Sequence, residues 1–317
     1  MSPGPPGTVT GKTVLVTGGS GFLGPALCRL LASRGAGVRA VSRAVEPGER
    51  GGITWIRGDF SDPDDARQLV GEVRPDLVFH MAGLGLGAPR LDLVIPTFES
   101  NLVTTVNLLT AVAEEGDAKV VIAGSMEEPD DAHAVASSPY AASKWAGSIY
   151  ARMFHGLFGL RTVVARIFMA YGPGVQSRKK LVPWVVESLL QNRAPELSAG
   201  TRPIDWIFVE DVADGLVRLA ETEGLDGETV DIGSGRLVTV REMVERLVEV
   251  MGASAEPLFG TLDDRPIEEA KVADADRTFE LMGWRAPTSL DDGLRRTIDY
   301  YADLLAREGA AEDTRAG

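Results

Sequence analysis

Residues 14–24 constrain the fold of this 317-residue chain more than any other stretch. A short apolar, β-branched run at 14–17 leads directly into spaced glycines, and an apolar helical pattern over 23–31 follows. This order predicts a strand, a tight turn and a helix, with the free N–H groups of the helix start facing the turn. The segment is therefore predicted to be either a dinucleotide-binding turn or a plain strand–helix turn. The strand before it and the helix after it are the context that a dinucleotide-binding turn requires.

The glycines have separate roles in a dinucleotide-binding turn. Gly18 can adopt the positive φ of a sharp strand exit, and Gly21, which has no Cβ, lets the backbone approach a pyrophosphate. Gly24 allows close packing of the helix on the strand. The predicted cofactor contacts of the turn are Gly18, Gly21, Phe22, Leu23 and Gly24.

Beyond the turn, short apolar strands alternate with helical patterns, which indicates a doubly wound parallel α/β sheet of the Rossmann type. The predicted strands cover 38–42, 53–56, 76–80, 119–123 and 161–167, and the predicted helices begin at Asp62-Pro63 or cover 93–113 and 138–158. Later helices are predicted near 181–190, 212–221, 240–251 and 290–305, with strands near 206–209 and 229–232.

The looser rhythm after Gly174 predicts a second, smaller α/β lobe that is interleaved with the first. We expect a flexible N-terminus (1–11), a dinucleotide-binding domain (12–172), a mainly substrate-binding lobe (173–306) and a flexible tail (307–317).

The composition argues against several classes of function. The net charge of −14 disfavours nucleic acid and anionic membranes as partners. The single cysteine, Cys28, excludes a disulfide framework, and His80, His133 and His155 lack the spacing of metal ligands, so no metal is expected. No run reaches the length of a membrane span and the first residues lack a signal-peptide core, so we expect a cytoplasmic protein.

Tyr140 and Lys144 lie four residues apart and therefore on one face of a predicted helix. A nearby ammonium stabilises phenolate, which would lower the pKa of the tyrosine and let it exchange a proton with a carbonyl or an alcohol. Ser125 follows a strand at the sheet edge where ligands bind, and its hydroxyl can hold the same oxygen. Singly, a tyrosine and a lysine at this spacing are as typical of a surface pair as of a site, and Ser125 alone is typical of a loop start. Together, downstream of the glycine turn, they predict a catalytic set.

The end of the second strand bears on the choice of dinucleotide. An acidic residue there would accept hydrogen bonds from the ribose diol and favour NAD. This chain has Ser42 and Arg43 instead. A hydroxyl and a guanidinium can bind a 2′-phosphate, so we predict NADP, with NAD as the alternative if Arg43 is only a solvated loop residue.

In combination, these motifs resemble the extended short-chain dehydrogenase/reductases, the group of nucleotide-sugar epimerases, dehydratases and ketoreductases. The resemblance covers about 12–305, nearly the whole chain. It is carried by the turn at 17–24, Gly58-Asp59, 79–83, Asn101, Ser125, 140–144 and 166–174, and by the ending at 281–294. It implies that Ser125, Tyr140 and Lys144 are catalytic.

The resemblance also assigns residues outside the catalytic set. Asp59 would contact the adenine, Asn101 would help to order the site, and 181–183 stands where the family covers the nucleotide. Arg265 resembles the arginine that pairs with the substrate pyrophosphate. The remaining predicted cofactor contacts are Ser42, Arg43, Asp59, Phe60, Ala82, Gly83, Asn101 and Lys144, and the predicted substrate contacts are Glu127, Met169, Val182, Arg202 and Arg265.

Departures from the family pattern bear on the reaction and the substrate. The dehydratases have an Asp-Glu pair after the catalytic hydroxyl, and here Met126-Glu127 follows Ser125, which disfavours elimination. Glu127 matches the uronate decarboxylases, but Ile204 replaces an arginine that they carry. Met169 closes a strand exit in which the family has asparagine. Four cations either replace the missing phosphate contacts or are simply solvated surface, namely Arg178, Lys179, Lys180 and Arg202.

We therefore predict an NADPH-dependent ketoreductase that acts on a nucleotide-linked keto-deoxyhexose at C4, with a smaller carbonyl compound as another substrate class. The alternatives are a 4-epimerase or uronate decarboxylase with recycled NAD, and a non-catalytic dinucleotide-binding sensor. The resemblance further implies a homodimer that pairs the helices near 93–113 and 140–158. Four apolar side chains of the second helix either form the seam of this dimer or belong to the core, namely Ala146, Ile149, Met153 and Leu157.

Overall fold

The computed structural model describes residues 8–131, 133–263 and 270–316. Within these ranges the strands form one large sheet, a three-stranded sheet and a two-stranded pair. The strands are β1 (Thr13–Thr17), β2 (Gly37–Ser42), β3 (Gly48–Arg50), β4 (Ile53–Arg57), β5 (Leu77–His80), β6 (Lys119–Ser125), β7 (Thr162–Ile167), β8 (Met169–Tyr171), β9 (Glu196–Leu197), β10 (Pro203–Phe208), β11 (Thr229–Ile232), β12 (Leu237–Thr239) and β13 (Leu258–Phe259).

The central strand of the large sheet, β1, is apolar at its three inner residues, 14–16, because both faces of the sheet are covered. Val14 and Val16 belong to the hydrophobic core on one face, and Leu15 belongs to the core on the other. Successive side chains of a strand point to opposite faces, so a parallel strand covered on both sides needs a continuous apolar run. This explains why the strand stands out in the sequence.

The large sheet has eight strands in the order β11-β7-β6-β5-β1-β2-β4-β3. Every pair is parallel except β3–β4. The strands run outward from β1 in two directions, so the winding reverses between β1 and β5. Ligands of such sheets bind beyond the carboxyl ends of the strands at this switch point. The predicted doubly wound Rossmann sheet is confirmed.

The second lobe is built mainly on the sheet β12-β10-β8, in which β10 pairs parallel with β8 and antiparallel with β12. One strand from this part of the chain, β11, returns to the large sheet beside β7. The predicted interleaving of a smaller α/β lobe is therefore confirmed. The domain boundaries themselves remain predictions.

Helices cover both faces of the large sheet, and the helices Val209–Glu221 and Val240–Met251 contact the smaller one. A 3₁₀ turn (Leu91–Leu93) precedes α3, and a π-helical segment (Phe98–Val103) joins α3 to α4. The α-helices are α1 (Gly24–Ser33), α2 (Pro63–Val73), α3 (Val94–Thr97), α4 (Thr104–Glu115), α5 (Pro139–Phe158), α6 (Leu181–Leu190), α7 (Val209–Glu221), α8 (Val240–Met251), α9 (Ala275–Met282) and α10 (Leu290–Ala316).

Several bounds differ from the sequence prediction. The single helix predicted over 93–113 is divided, because a π-helical turn keeps nearly the same apolar pattern while it shifts the hydrogen bonds. Strand β3 was not predicted, since all of its residues are exposed and no apolar alternation marks it. Helix α10 continues to Ala316 rather than ending near 305. No helix of the described ranges is long and apolar enough to cross a membrane.

Candidate active site

The glycine turn between β1 and α1 lies at the switch point of the large sheet. Gly18 has a φ of +67°, and a Cβ built on it would lie 2.6 Å from the backbone nitrogen of Ala82. A Cβ on Gly24 would lie 2.4 Å from the Gly18 carbonyl oxygen. Backbone atoms therefore exclude any side chain at both positions. The predicted strand–turn–helix is confirmed, and the phosphate-binding role of the turn stays a prediction.

The turn contacts neighbouring elements that carry other predicted residues. The Gly19 amide donates to the Val41 carbonyl of β2 at 3.3 Å. The Phe22 ring lies 3.3 Å from the position of a Gly174 Cβ, and Leu23 packs on the core. These contacts bring the end of β2 and the loop after β8 together at the turn.

At the end of β2, two serine hydroxyls meet. The Ser42 and Ser20 Oγ atoms are 2.7 Å apart. Arg43 is exposed, and within the described ranges its guanidinium makes no side-chain hydrogen bond or ion pair. Asp59 accepts hydrogen bonds from Ser61, while the Phe60 side chain is buried in the core, so that residue can reach a cofactor only through its backbone.

The three predicted catalytic residues converge, as the sequence indicated. Ser125 ends β6, and Tyr140 and Lys144 lie on the first turns of α5, whose start is capped by Ser138. The Ser138 hydroxyl accepts the Ala141 amide at 3.1 Å. The Tyr140 hydroxyl is hydrogen-bonded to Ser125, and the Lys144 Nζ donates to the Ala123 carbonyl of β6 at 2.9 Å.

One electrostatic expectation is wrong. Burial raises the pKa of Tyr140 well above its ordinary value, and the hydrogen bond with Ser125 offsets this only in part. The carboxylates of Glu127 and Glu128 also raise the pKa of Tyr140. Loss of hydration in turn lowers the pKa of Lys144 to about 8, against a smaller effect of Glu128. The ammonium therefore does not produce a phenolate, and Tyr140 is a neutral phenol at physiological pH.

The segment after β5 lines this site. A Cβ on Gly83 would lie 2.8 Å from the Asn101 Oδ1 and 3.4 Å from the Lys144 Nζ. Ala82 is partly buried beside the glycine turn. The structure thus brings Ala82, Gly83, Asn101 and Lys144 together, as the resemblance implies.

Two glutamates follow Ser125 and differ in their surroundings. The half-buried Glu127 carboxylate lies 2.8 Å from the position of a Gly87 Cβ and accepts a long hydrogen bond from Ser138. Glu128 is buried, and its Oε1 accepts the Ser125 amide at 2.7 Å. Burial raises the pKa of Glu128. Glu127 is therefore the carboxylate that faces the site.

The predicted substrate contacts are only partly gathered. Val182 is buried in the core, whereas Met169 is partly exposed at the start of β8. Ile204 is also buried, and Arg202 lies just before β10. Arg265 lies outside the described residues.

Two of the other candidate cations, Arg178 and Lys180, differ in what their charged groups contact. Arg178 forms ion pairs with Glu187 and Glu308, which occupy its guanidinium. Lys180 instead brings its Nζ to 4.0 Å from the position of a Gly85 Cβ, beside the segment that lines the site. The Lys180 ammonium therefore lies next to the segment that lines the site.

Sequence reasoning assigned no role to His80, which it rejected as a metal ligand and otherwise included only as part of the motif at 79–83. It is buried at the end of β5 and bonded to Thr17 and Thr105. A signal was available, because Thr17 and His80 both end predicted strands and the ends of neighbouring parallel strands meet at one edge. Among the described residues, no group of three His, Cys, Asp or Glu is placed to hold a metal.

Comparison with known proteins agrees with this geometry. The chain is 28% identical to dTDP-glucose 4,6-dehydratase of Neisseria gonorrhoeae, with 93% of this chain and 97% of the relative covered. It is 27% identical to UDP-glucose 4-epimerase of Mycolicibacterium smegmatis, with 90% and 97% covered. The crystal structure of UDP-glucuronic acid 4-epimerase from Bacillus cereus, in complex with UDP-glucuronic acid and NAD, superposes with a TM-score of 0.81 at 25% identity, covering 92% and 99%.

A Rossmann sheet with serine, tyrosine and lysine gathered beyond the carboxyl ends of its strands defines an enzyme of the extended short-chain dehydrogenase/reductase type. The chain belongs to the NAD dependent epimerase/dehydratase family, whose model matches residues 14–233. The predicted family is therefore confirmed.

Proposed function

We propose that the protein is an NADPH-dependent ketoreductase acting at the C4 ketone of a nucleotide-linked keto-deoxyhexose. The observation that carries the proposal is the hydrogen bond between Tyr140 and Ser125, with Lys144 on the same helix face as Tyr140. A neutral phenol is the form that gives a proton to a carbonyl oxygen. The curated relatives named above support a nucleotide sugar, since both are named for such substrates.

The residues at the end of β2 support NADP as the cofactor. Ser20 and Ser42 present two hydroxyls, and Arg43 is exposed beside them. A guanidinium pairs with a phosphate through charge-assisted hydrogen bonds, while the ribose diol of NAD would be matched by a carboxylate. The glycine turn would hold the pyrophosphate and Asp59 would contact the adenine.

In the proposed mechanism, Ser125 donates a hydrogen bond to the substrate carbonyl oxygen. When bound, the dinucleotide supplies the hydride. Tyr140 transfers its proton to the same oxygen as negative charge develops there, and the Lys144 ammonium holds the ribose and stabilises the phenolate that is left. Glu127 accepts hydrogen bonds from sugar hydroxyls on the side of Gly87.

A dehydratase is disfavoured by the residue after Ser125. The side chain of Met126 is buried in the hydrophobic core and carries no acidic proton. Elimination of water needs an acid at the leaving hydroxyl, and the position after the catalytic hydroxyl does not provide one.

The cofactor assignment is tested by denaturing the purified protein, identifying any released dinucleotide, and titrating emptied protein with NADPH and NADH. We expect tighter binding of NADPH, and Arg43→Ala should weaken NADPH about tenfold or more because a charged hydrogen bond is lost. NADH affinity should be unchanged. Arg57→Ala, which removes a nearby arginine paired with Glu46, is the matched control. Stoichiometric, tightly held NAD would contradict the proposal.

The 4-epimerase is the second candidate, because a curated relative and a structural neighbour are named for that activity. It predicts interconversion of a nucleotide hexose without added reductant, whereas the ketoreductase consumes one NADPH for each ketone. Turnover with and without NADPH therefore separates the two.

We also propose a homodimer. Large apolar side chains are exposed on the 3₁₀ turn, α3 and α5, which pack side by side, and they include Leu91 (89% exposed), Ile95 (61%), Leu157 (72%) and Phe158 (64%). Exposed apolar clusters of this kind are typical of interfaces. Ile149 and Leu157 of the predicted seam are exposed, while Met153 packs against the core.

A further inference from the structure

His80 has a fixed place between the glycine turn and the catalytic helix. It ends β5 opposite Thr17 of β1 in the strand register, and it is 1% exposed. Its Nδ1 lies 2.8 Å from the Thr17 Oγ1, and its Nε2 lies 3.0 Å from the Thr105 Oγ1 on α4. Both ring nitrogens are therefore used, and neither is needed for the proposed proton transfer.

The neighbouring acceptors determine which ring nitrogen carries the proton. The Thr105 hydroxyl donates to the Asn101 carbonyl at 2.6 Å, and a carbonyl can only accept. A hydroxyl has one proton, so Thr105 must accept from the His80 Nε2–H. The Nδ1 of the neutral ring then accepts from the Thr17 hydroxyl, which itself accepts the Ala82 amide at 3.2 Å.

This hydrogen-bond relay reaches both ends of the segment 82–84, which lines the site. Thr17 holds the Ala82 amide at one end, and the Asn101 Oδ1 accepts the Leu84 amide at 2.6 Å at the other. The Asn101 side chain then donates to the Ser143 hydroxyl at 2.8 Å, and Ser143 donates to the Tyr140 carbonyl at 2.8 Å. Two sets of hydrogen bonds that meet at Asn101, one at its backbone carbonyl and one at its side chain, thus connect β1 to the helical turn that carries the phenol.

A protonated ring would break this order. With a proton on both nitrogens, the Thr17 hydroxyl could no longer donate to Nδ1, and its own proton would lose its acceptor. Burial, together with the positive charge of Lys144, lowers the pKa of His80 to about 3. The neutral ring is therefore the form that fits the relay.

We propose that His80 is a positioning residue, which holds residues 82–84 and Asn101 in register with the glycine turn through a neutral ring protonated on Nε2. Only its effect on turnover rests on the proposed ketoreductase function. The tautomer and the binding of a dinucleotide can be measured without a substrate.

The tautomer is tested by ¹⁵N NMR of histidine-labelled full-length protein, with assignment through a His80→Gln variant. We expect one protonated and one unprotonated ring nitrogen, assigned to Nε2 and Nδ1, with no titration between about pH 5 and 8. A proton on Nδ1, or titration near the ordinary histidine value, would overturn the proposal.

The positioning role is tested by His80→Phe, which keeps a ring and removes both hydrogen bonds, and by His80→Gln, whose amide has one donor and one acceptor. Thr278→Val is the matched control, because it removes a buried hydrogen bond to the Asp231 carbonyl outside the relay. Thermal unfolding of each variant identifies loss of the fold.

For folded His80→Phe, we expect affinity for NADPH or NADH, whichever binds tighter to the unchanged protein, to fall about tenfold or more. His80→Gln should recover most of that loss, and the control should show none. If a keto-sugar is turned over, kcat should fall with KM within about threefold, since the substrate contacts are elsewhere. Equal affinities for His80→Phe and Thr278→Val would refute a positioning role, whatever reaction the enzyme catalyses.

Discussion

At the scale of single residues, burial moves the pKa values of the two proposed catalytic side chains of α5 in opposite directions. It raises the pKa of the Tyr140 phenol and lowers the pKa of the Lys144 ammonium to about 8. In both cases burial disfavours the charged form. Tyr140 therefore keeps its proton at neutral pH, and Lys144 loses its charge as the pH rises through about 8.

Tyr140→Phe removes the proton donor and leaves the rest of the helix face in place. We expect kcat for ketone reduction to fall by about 10²–10⁴-fold, the usual contribution of a positioned acid, with NADPH affinity unchanged. Stopped-flow reduction and fluorescence titration measure the two quantities. Wild-type reduction by this variant would exclude Tyr140 as the acid.

The pH dependence of reduction follows from Lys144. Its ammonium is charged below about pH 8 and becomes neutral above it, so kcat/KM should fall as pH rises through about 8. Arginine keeps its charge at high pH, and therefore Lys144→Arg, although slower, should move this limb upward. A limb that stays in place in that variant would assign the titration to another group.

At the scale of elements, the junction of β1, turn and α1 depends on close backbone approach. A Cβ on Gly24 would lie 2.4 Å from the Gly18 oxygen and 2.6 Å from the Gly19 oxygen. The helix start cannot move away, because Leu27 and Leu31 of α1 are buried in the core. A side chain at this position must therefore distort the turn rather than the helix.

Gly24→Ala should accordingly weaken dinucleotide binding by tenfold or more and lower the free energy of unfolding by about 1–3 kcal/mol, as overpacking does. Titration with NADPH and urea denaturation give the two values. Gly309→Ala is the control, since a Cβ there meets nothing within 4 Å. If both variants behave alike, the turn is not constrained as described.

At the scale of the whole molecule, the exposed apolar side chains of the 3₁₀ turn, α3 and α5 form the proposed dimer face, and α5 also carries the proposed catalytic pair. Dimerisation through this face would cover the exposed side of α5 and restrict the movement of that helix. The proposed interface and the proposed site therefore share an element.

Light scattering should give the mass of a dimer, and Leu157→Glu should give a monomer because a charge would be buried at the seam. Leu258→Glu changes an exposed leucine on β13, away from this face, and should leave the dimer intact. A monomeric mass for the unchanged protein at working concentration would rule out the interface.

Much of the fold and site could be predicted, because the signals are local. The apolar run of β1, the glycine spacing, the Ser138 cap and the Tyr140–Lys144 spacing each depend on neighbours within a few residues. The divided helix around Asn101 could not be predicted, since a π-helical turn leaves little mark on periodicity. A cytoplasmic location and the roles of individual cofactor contacts stay predictions.

The sequence by itself determined the fold class and the family, since short-range patterning fixes strand, turn and helix, and it predicted the three residues that the structure brings together as a catalytic set. Only the tertiary structure decided the upward shift in the pKa of Tyr140, the pairing of Arg178 with Glu187 and Glu308, and the contact of His80 with Thr17. These depend on loss of hydration and on the charges and acceptors that surround each group. Such surroundings come from segments far apart in the chain, and folding alone brings them together.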